Sequence, residues 1–242
     1  MKVLVLGHKG MLGHMVVMYL QSKHIDVMTI NTRWPVSQGE ILSFDGNFII
    51  NCIGAIPQRT ETFDINWQLP IWLDLHAPCR VIHPGTDCEM DDDIYGISKN
   101  VAGDYIRNLS KQTKSIKTSI IGPEMFGSAS LMEWFLDQEG EVFGYTNAIW
   151  NGNTTLEWAT QCFHLMNNWD SKLTHQPNHN EIIISSTPVS KFELLNSIKT
   201  VFNKNIGIIK QDKGSNKCLD GIIYTGTIQD QLKKLKEYYY DN

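Results

Sequence analysis

The sequence predicts a doubly wound α/β fold, a parallel sheet with helices on both faces, followed by a smaller C-terminal lobe. Three observations predict it: short apolar runs that each close in glycine or polar residues, helical spacings between those runs, and a glycine-punctuated turn directly after the first. With 242 residues, 42% of them hydrophobic, the chain can bury a sizeable core.

The first run, Lys2 to Leu6, is continuous in valine and leucine and stops at Gly7, the pattern of a strand buried on both faces. From Met11 to Ser22, apolar residues at Met11, Met15, Met18 and Tyr19 keep a helical spacing up to the break at Lys23 and His24. Further strands are predicted at Ile25 to Ile30, Phe48 to Ile53 and Arg80 to His83, the last two stopping at Gly54 and at Pro84 and Gly85. Asp91, Asp92 and Asp93 precede a helix from Tyr95 to Leu109, where negative charge suits the positive helix end. Ser115 to Ile121 reads as one more strand. Beyond Gly122 and Pro123 the βαβ rhythm lapses, and Trp134, Trp150, Trp158 and Trp169 are spread through short elements. The expected division is residues 1–124 as a dinucleotide-binding domain and residues 125–242 as a substrate-binding lobe. That lobe carries a helix from Thr155 to Met166, a strand from Glu181 to Ser185, a helix from Lys191 to Phe202 and a lysine-rich terminal helix. Some of these elements are free to rejoin the main sheet.

Gly7-His8-Lys9-Gly10-Met11-Leu12-Gly13 lies where a strand hands over to a helix, the context a dinucleotide fingerprint requires. The first glycine permits the tight turn, the second lets a pyrophosphate approach the backbone, and the third lets helix and strand pack closely; the helix N-terminus adds partial positive charge. Cofactor contacts are therefore expected at Gly7, Lys9, Gly10, Met11, Leu12 and Gly13. At the end of the second strand an acid would favour NAD and an arginine would accommodate the 2′-phosphate of NADP. The chain has Asn31, Thr32 and Arg33, so NADP(H) is preferred and NAD(H) left open, with a solvated Arg33 as the plain alternative. Cys52, Ile53 and Gly54, closing the third run, border the same ligand.

Tyr95 and Lys99 are four apart at the start of a helix and share a face. A phenol of pKa about 10 is a poor acid at neutral pH, and a neighbouring ammonium is expected to draw it toward the working range. Lys99 is also placed to hydrogen-bond a nicotinamide ribose. Upstream, Thr86 puts a hydroxyl after a strand, where it can hold a substrate carbonyl oxygen beside the phenol. Alone, Y-x-x-x-K is a common helix-surface pattern; its weight here comes from the order glycine turn, apolar strand, hydroxyl, then Tyr and Lys.

On these residues the chain resembles the extended short-chain dehydrogenases/reductases, and among them the dTDP-4-dehydrorhamnose reductase family. The G-x-x-G-x-x-G spacing is characteristic of the short-chain group. Thr86-Asp87 and Tyr95-Gly96-Ile97-Ser98-Lys99 with Ala102-Gly103-Asp104 resemble the S-T-D and Y-G-x-T-K-x-x-G-E segments, and Lys117-Thr118-Ser119 resembles an R-T-S strand. The likeness is specific over the first half and fainter through Trp150 to Ala159. Gly85 stands where the family usually has serine, Lys117 where it has arginine, and there is little room between Ile30 and Phe48 for the usual helix and strand. The resemblance implies a Rossmann domain and hydride transfer from NADPH to the C4 keto group of a nucleotide-linked 4-keto-6-deoxyhexose, with Tyr95 donating the proton. Thr86, Asp87, Gln58, Trp150 and Thr155 are the candidate substrate contacts. An epimerase or dehydratase with tightly held NAD is one alternative; a silent NADP-binding subunit, like the regulatory subunit of methionine adenosyltransferase, is another.

Composition narrows the rest. A formal net charge of -5 supplies no basic field for a nucleic acid. Five cysteines without a C-x-x-C pair support neither a disulfide framework nor a zinc site. His175 and His179 are four apart, but Pro177 lies between them, so no metal pair is expected. No run approaches the roughly 18 apolar residues of a membrane helix, and the apolar run after Met1 is too short for a signal peptide. The expected setting is therefore cytoplasmic, with a nucleotide sugar as partner, no membrane, and a homodimer left open.

Overall fold

A computed structural model describes residues 1–170 and 180–241. The elements run β1 (Lys2–Leu6), α1 (Met11–Ser22), β2 (Asp26–Thr29), α2 (Gln38–Leu42), β3 (Phe48–Asn51), α3 (Ile65–His76), β4 (Arg80–Gly85), a 3-10 helix (Asp87–Met90), α4 (Ile94–Leu109) and β5 (Thr113–Lys117). They continue with β6 (Ile120–Ile121), α5 (Leu131–Asp137), β7 (Glu141–Tyr145), β8 (Ile149–Trp150), β9 (Asn153–Thr154), α6 (Thr155–Asn167), β10 (Glu181–Ser185), β11 (Val189–Ser190), α7 (Lys191–Val201), β12 (Gly207–Gln211), β13 (Ile223–Tyr224) and α8 (Ile228–Tyr239). His175 and His179 lie outside the described residues. Among the described residues no helix is long and apolar enough to cross a membrane.

The chain divides into two compact units, residues 1–117 with 159–182 and residues 118–158 with 183–242. The first unit therefore ends at Lys117, not at 124, and recovers a later segment. Its strands pair in parallel, β2 with β1, β1 with β3, β3 with β4 and β4 with β5. Within this unit the strand order is β5-β4-β3-β1-β2. This is the doubly wound architecture expected from the continuous apolar runs, since strands covered on both faces carry few polar residues. Leu4 and Leu6 of β1, Ile49 of β3 and Val81 of β4 meet Leu69 and Leu73 of α3 in one core cluster.

The polar loops of this unit are fixed by a few buried groups. Asp74, near the end of α3 and 5% exposed, accepts from Ser110 Oγ at 2.6 Å, Thr113 Oγ1 at 2.8 Å, Tyr105 Oη at 3.0 Å and the Thr113 backbone N–H at 3.0 Å. One carboxylate thus ties α3 to the turn between α4 and β5. Burial pushes its carboxyl up, but the hydrogen bonds from Ser110, Thr113, Gln112 and Tyr105 outweigh this and hold it below the ordinary value.

In the second unit β7 and β12 pair in parallel, β8 and β11 antiparallel, and β6 and β9 in parallel. The second half of β10 pairs with β13. Asn153, fully buried, donates to Thr118 Oγ1 at 2.8 Å and accepts from Gln231 Nε2 at 2.9 Å, joining α8 to the strands. The predicted strand Ser115 to Ile121 is broken into β5 and β6 at Thr118 and Ser119, where the chain changes units. Between the second and third strands, where the sequence leaves little room for the family's usual helix and strand, α2 is a single turn and a half.

Replacing Asp74 with Ala leaves buried donors unsatisfied and is expected to cost about 2–3 kcal/mol in urea denaturation. Because the folded-state value is depressed, Asp74 adds stability above its unfolded value of about 3.9 and loses it as pH falls through the folded one. The Ala variant is therefore expected to show a shallower loss of stability on acidification than the parent.

Candidate functional site

The carboxyl ends of β1, β2 and β3 open into a cleft of about 560 Å³. Its walls include Gly7, Lys9, Gly10, Asn31, Thr32, Arg33, Ile53 and Gly54, all expected from the sequence. They also include Arg59, and His8, Trp34, Ile56 and Ile65, which sequence reasoning did not assign.

The glycine turn is shaped by the need for close approach. Gly7 has φ +75°, and a Cβ there would stand 2.9 Å from the carbonyl carbon and oxygen of Cys52. A Cβ at Gly13 would fall 2.2 Å from the Gly7 oxygen, so this glycine lets α1 pack on the turn. Gly10 caps α1 with no side-chain hydrogen bond, so no side chain covers the amides of the first turn. Leu12 and Gly13 are buried and Cys52 meets Gly7 through its backbone; none of the three is among the residues that line the cleft. His8 Nδ1 and Trp34 Nε1, on two wall residues, are buried polar atoms with no hydrogen-bond partner.

Behind the cleft, Asn51 closes β3 with two side-chain bonds. Its Oδ1 accepts the Ile53 N–H at 3.1 Å, and its Nδ2 donates to His83 Nδ1 at 3.2 Å. Burial, and then the charge of Lys99, lower the His83 value to about 3, so the ring is neutral. Asn66, in the first turn of α3, accepts from the Ala55 N–H at 2.8 Å and donates to the Ala55 carbonyl at 3.1 Å and to Ser98 Oγ at 3.1 Å. Ser98 in turn donates to the Tyr95 carbonyl at 2.6 Å. One asparagine therefore connects the loop after β3 to the helix bearing Tyr95 and Lys99.

Asp93 caps α4 by accepting the Gly96 N–H at 2.6 Å. Tyr95 and Lys99 lie together on the first turns, with Lys99 Nζ 6.0 Å from the centre of the Tyr95 ring. A Cβ on Gly54 would stand only 3.1 Å from Lys99 Nζ, so the ammonium presses against a wall of the cleft. Phe63 packs edge-on to Tyr95, ring centres 5.6 Å apart. Thr86 Oγ1 donates to Asp87 Oδ1 at 3.1 Å and accepts the Cys88 N–H at 3.3 Å.

The electrostatics correct one expectation. The Tyr95 phenol is not drawn down: burial, followed by Cys88, Asp87, Asp93 and Asp91, pushes it above its ordinary value. Lys99 is lowered to about 8 by burial, against the opposing effect of Glu89 and Cys88. Near neutrality Tyr95 keeps its proton, which suits a donor.

The five candidate substrate residues fall in both units, Thr86, Asp87 and Gln58 in the first and Trp150 and Thr155 in the second. Thr86 and buried Asp87 lie beside the Tyr95 helix, and Gln58 is exposed on the turn after β3. Trp150 and Thr155 are 2% and 0% exposed in the second unit, and Lys191 Nζ stands 4.9 Å from the centre of the Trp150 indole.

The chain shares its fold with solved sugar-nucleotide enzymes. A dTDP-4-dehydrorhamnose reductase from Clostridium acetobutylicum matches with a TM-score of 0.77 at 14% identity, over 98% of this chain and 99% of that one. The Bacillus anthracis dTDP-4-dehydrorhamnose reductase, solved in complex with NADP, gives 0.73 at 13% identity over 97% and 98%. A dTDP-glucose 4,6-dehydratase from Bacillus anthracis, in complex with NAD, gives 0.69 at 13% identity over 100% and 97%. No protein-family model matches the sequence, and no curated protein matches it.

Two glycines of the turn separate cleanly in their expected cost. Gly7→Ala forces a left-handed alanine against the Cys52 carbonyl and is expected to lose about 1–3 kcal/mol in a urea melt. Gly10→Ala, whose Cβ meets only the Gly7 oxygen at 3.4 Å, is expected to lose under about 1 kcal/mol.

Proposed function

We propose that the chain is an NADP(H)-dependent reductase acting on the 4-keto group of a nucleotide-linked 4-keto-6-deoxyhexose. The observation that carries this reading is the Lys99 ammonium resting against Gly54, one helical turn from Tyr95, at the edge of a cleft with a dinucleotide-type glycine turn.

The residues present fit the cofactor. The cradle is one that Cβ atoms at Gly7 and Gly13 would fill, and the α1 N-terminus lies beside it without a side-chain cap, the arrangement that suits a pyrophosphate. Met11 and Leu12 offer their amides there, with Lys9 as a nearby cation. Arg33, flanked by Asn31 and Thr32, suits a 2′-phosphate, which favours NADP(H) over NAD(H). Ile53 and Gly54 form the wall facing Lys99. When bound, the reduced cofactor supplies the hydride that converts the substrate carbonyl to a hydroxyl.

The chain's own groups supply the rest. Tyr95 holds a proton at its phenolic oxygen and delivers it to the carbonyl oxygen, while Lys99 keeps a positive charge beside the phenolate that results. Thr86 offers a hydroxyl to the same oxygen by turning from Asp87. The fold shared with the reductases from Clostridium acetobutylicum and Bacillus anthracis supports this reading. A dehydratase needs a further carboxylic acid beside the substrate. Asp87 is followed by Cys88, and the carboxylate of Glu89 is taken up by Thr86, Arg107 and Lys117, which disfavours that alternative.

The test is NADPH oxidation with dTDP-4-dehydrorhamnose and its GDP-linked counterpart. Tyr95→Phe is expected to lose at least about 100-fold in kcat while still binding NADPH. In the parent, kcat/KM is expected to decline above about pH 8 as Lys99 loses its proton. Undiminished reduction by Tyr95→Phe, or no NADPH oxidation with any such sugar, contradicts the proposal.

A further inference from the structure

The 3-10 helix after β4 carries a carboxylate that the reaction above leaves unused. The Glu89 side chain is 2% exposed, and both of its oxygens are engaged. Oε1 accepts the Thr86 backbone N–H at 3.0 Å. Oε2 accepts from Lys117 Nζ at 2.6 Å and from Arg107 Nη1 at 3.1 Å. Glu181 of β10 accepts from Arg107 Nη1 at 2.9 Å and stands 3.9 Å from Lys117 Nζ. Arg107 also pairs with Asp104 at the surface.

The backbone makes room for this cluster on two sides. A Cβ on Gly103 of α4 would lie 2.6 Å from Glu89 Oε2. A Cβ on Gly85, the residue before Thr86, would lie 2.9 Å from Lys117 Cβ and 3.1 Å from Glu89 Oε1. A buried ion cluster of this kind offers little net stability over apolar residues of the same shape, because desolvation offsets the Coulombic gain. What it does fix is position. Glu89 forms a capping box with Thr86, so the Thr86 backbone is clamped at the N-terminus of the 3-10 helix.

We infer that Glu89 is a positioning residue for the proposed reduction: it locks Thr86 in place and sets a fixed negative charge against Gly103, one helical turn from Lys99 on the same face of α4. The inference rests on the reductase reading for its catalytic consequence. The charged and titratable groups acting at Lys99 are Glu89 and Cys88 from the 3-10 helix, His83 from β4 and Tyr95 from its own helix. Gly54 meets it as a neutral group. His83 is uncharged at neutrality, and the Cys88 thiol, raised to about 11 by burial and by Asp87, is uncharged as well. Glu89 is therefore the anion among them that opposes the effect of burial on the lysine.

Glu89→Gln keeps an oxygen for the Thr86 N–H and removes the charge. Should that variant fold poorly, Glu89→Gln with Lys117→Met neutralises the pair together. In ligand-free protein carrying 13C-labelled lysine, the 13Cε resonance of Lys99, assigned with Lys99→Met, is expected to titrate about one pH unit lower in either variant than in the parent. With NADPH and dTDP-4-dehydrorhamnose, the alkaline limb of kcat/KM is expected to move down by the same amount, kcat to fall and the KM for NADPH to stay put. Glu89→Asp is expected to restore the Lys99 titration. A folded charge-neutral variant in which Lys99 titrates as in the parent overturns the inference. If the shift is present but the parent reduces no keto sugar, the reductase reading fails and the hold of Glu89 on Lys99 stands.

Discussion

The Lys99 ammonium lies 3.1 Å from where a Cβ on Gly54 would stand, and much of the site is arranged around that approach. A Cβ at Gly54 would crowd it, and the ammonium would have to give by a few tenths of an ångström. The loop carrying Gly54 is held by Asn51 and Asn66, while the helix carrying Lys99 is started by Asp93 and joined to Asn66 through Ser98. A strand end and a helix start are thereby brought to one point by hydrogen bonds that leave little freedom in either. The core below, Leu4, Leu6, Ile49, Leu69, Leu73 and Val81, fixes the elements that carry these groups.

Charge divides the site into two zones. The segment from Asp87 to Asp93 is acidic and, with burial, holds the Tyr95 phenol in its protonated form. The cleft side carries Lys9, Arg33 and Arg59 together with the α1 N-terminus. Such an arrangement suits an anionic ligand laid across the glycine turn and a neutral proton donor at its far end. Lys99 lies between the two zones, poorly solvated.

Much of the frame was legible in the sequence because parallel strands buried on both faces leave unbroken apolar runs. α1 and β10 have the bounds their patterns suggested, and α4 starts within one residue of expectation. α3 was hidden: Pro70 sits inside it, and its residues from Ile65 to Leu75 are apolar on most sides, so no helical period stands out. The paired β7 and β12 were hidden too, because each is short and partly exposed with a partner far along the chain. At the site, the glycine turn, Arg33, Thr86, Tyr95 and Lys99 were readable from order and spacing. Asn66 and Glu89 were not, since an isolated asparagine or glutamate has no period to betray it. The phenol was misjudged because a lysine four residues away is conspicuous, whereas burial and the combined field of three aspartates emerge only once the chain is folded.

A crystal structure of the protein grown with NADP is the most direct measurement. The predicted result is a dinucleotide with its pyrophosphate over Gly7 and Gly10 and its nicotinamide ribose within hydrogen-bond distance of Lys99 Nζ, with the Tyr95 hydroxyl on the same side. A cofactor bound elsewhere, or one whose nicotinamide end lies away from Lys99 and Tyr95, would contradict it.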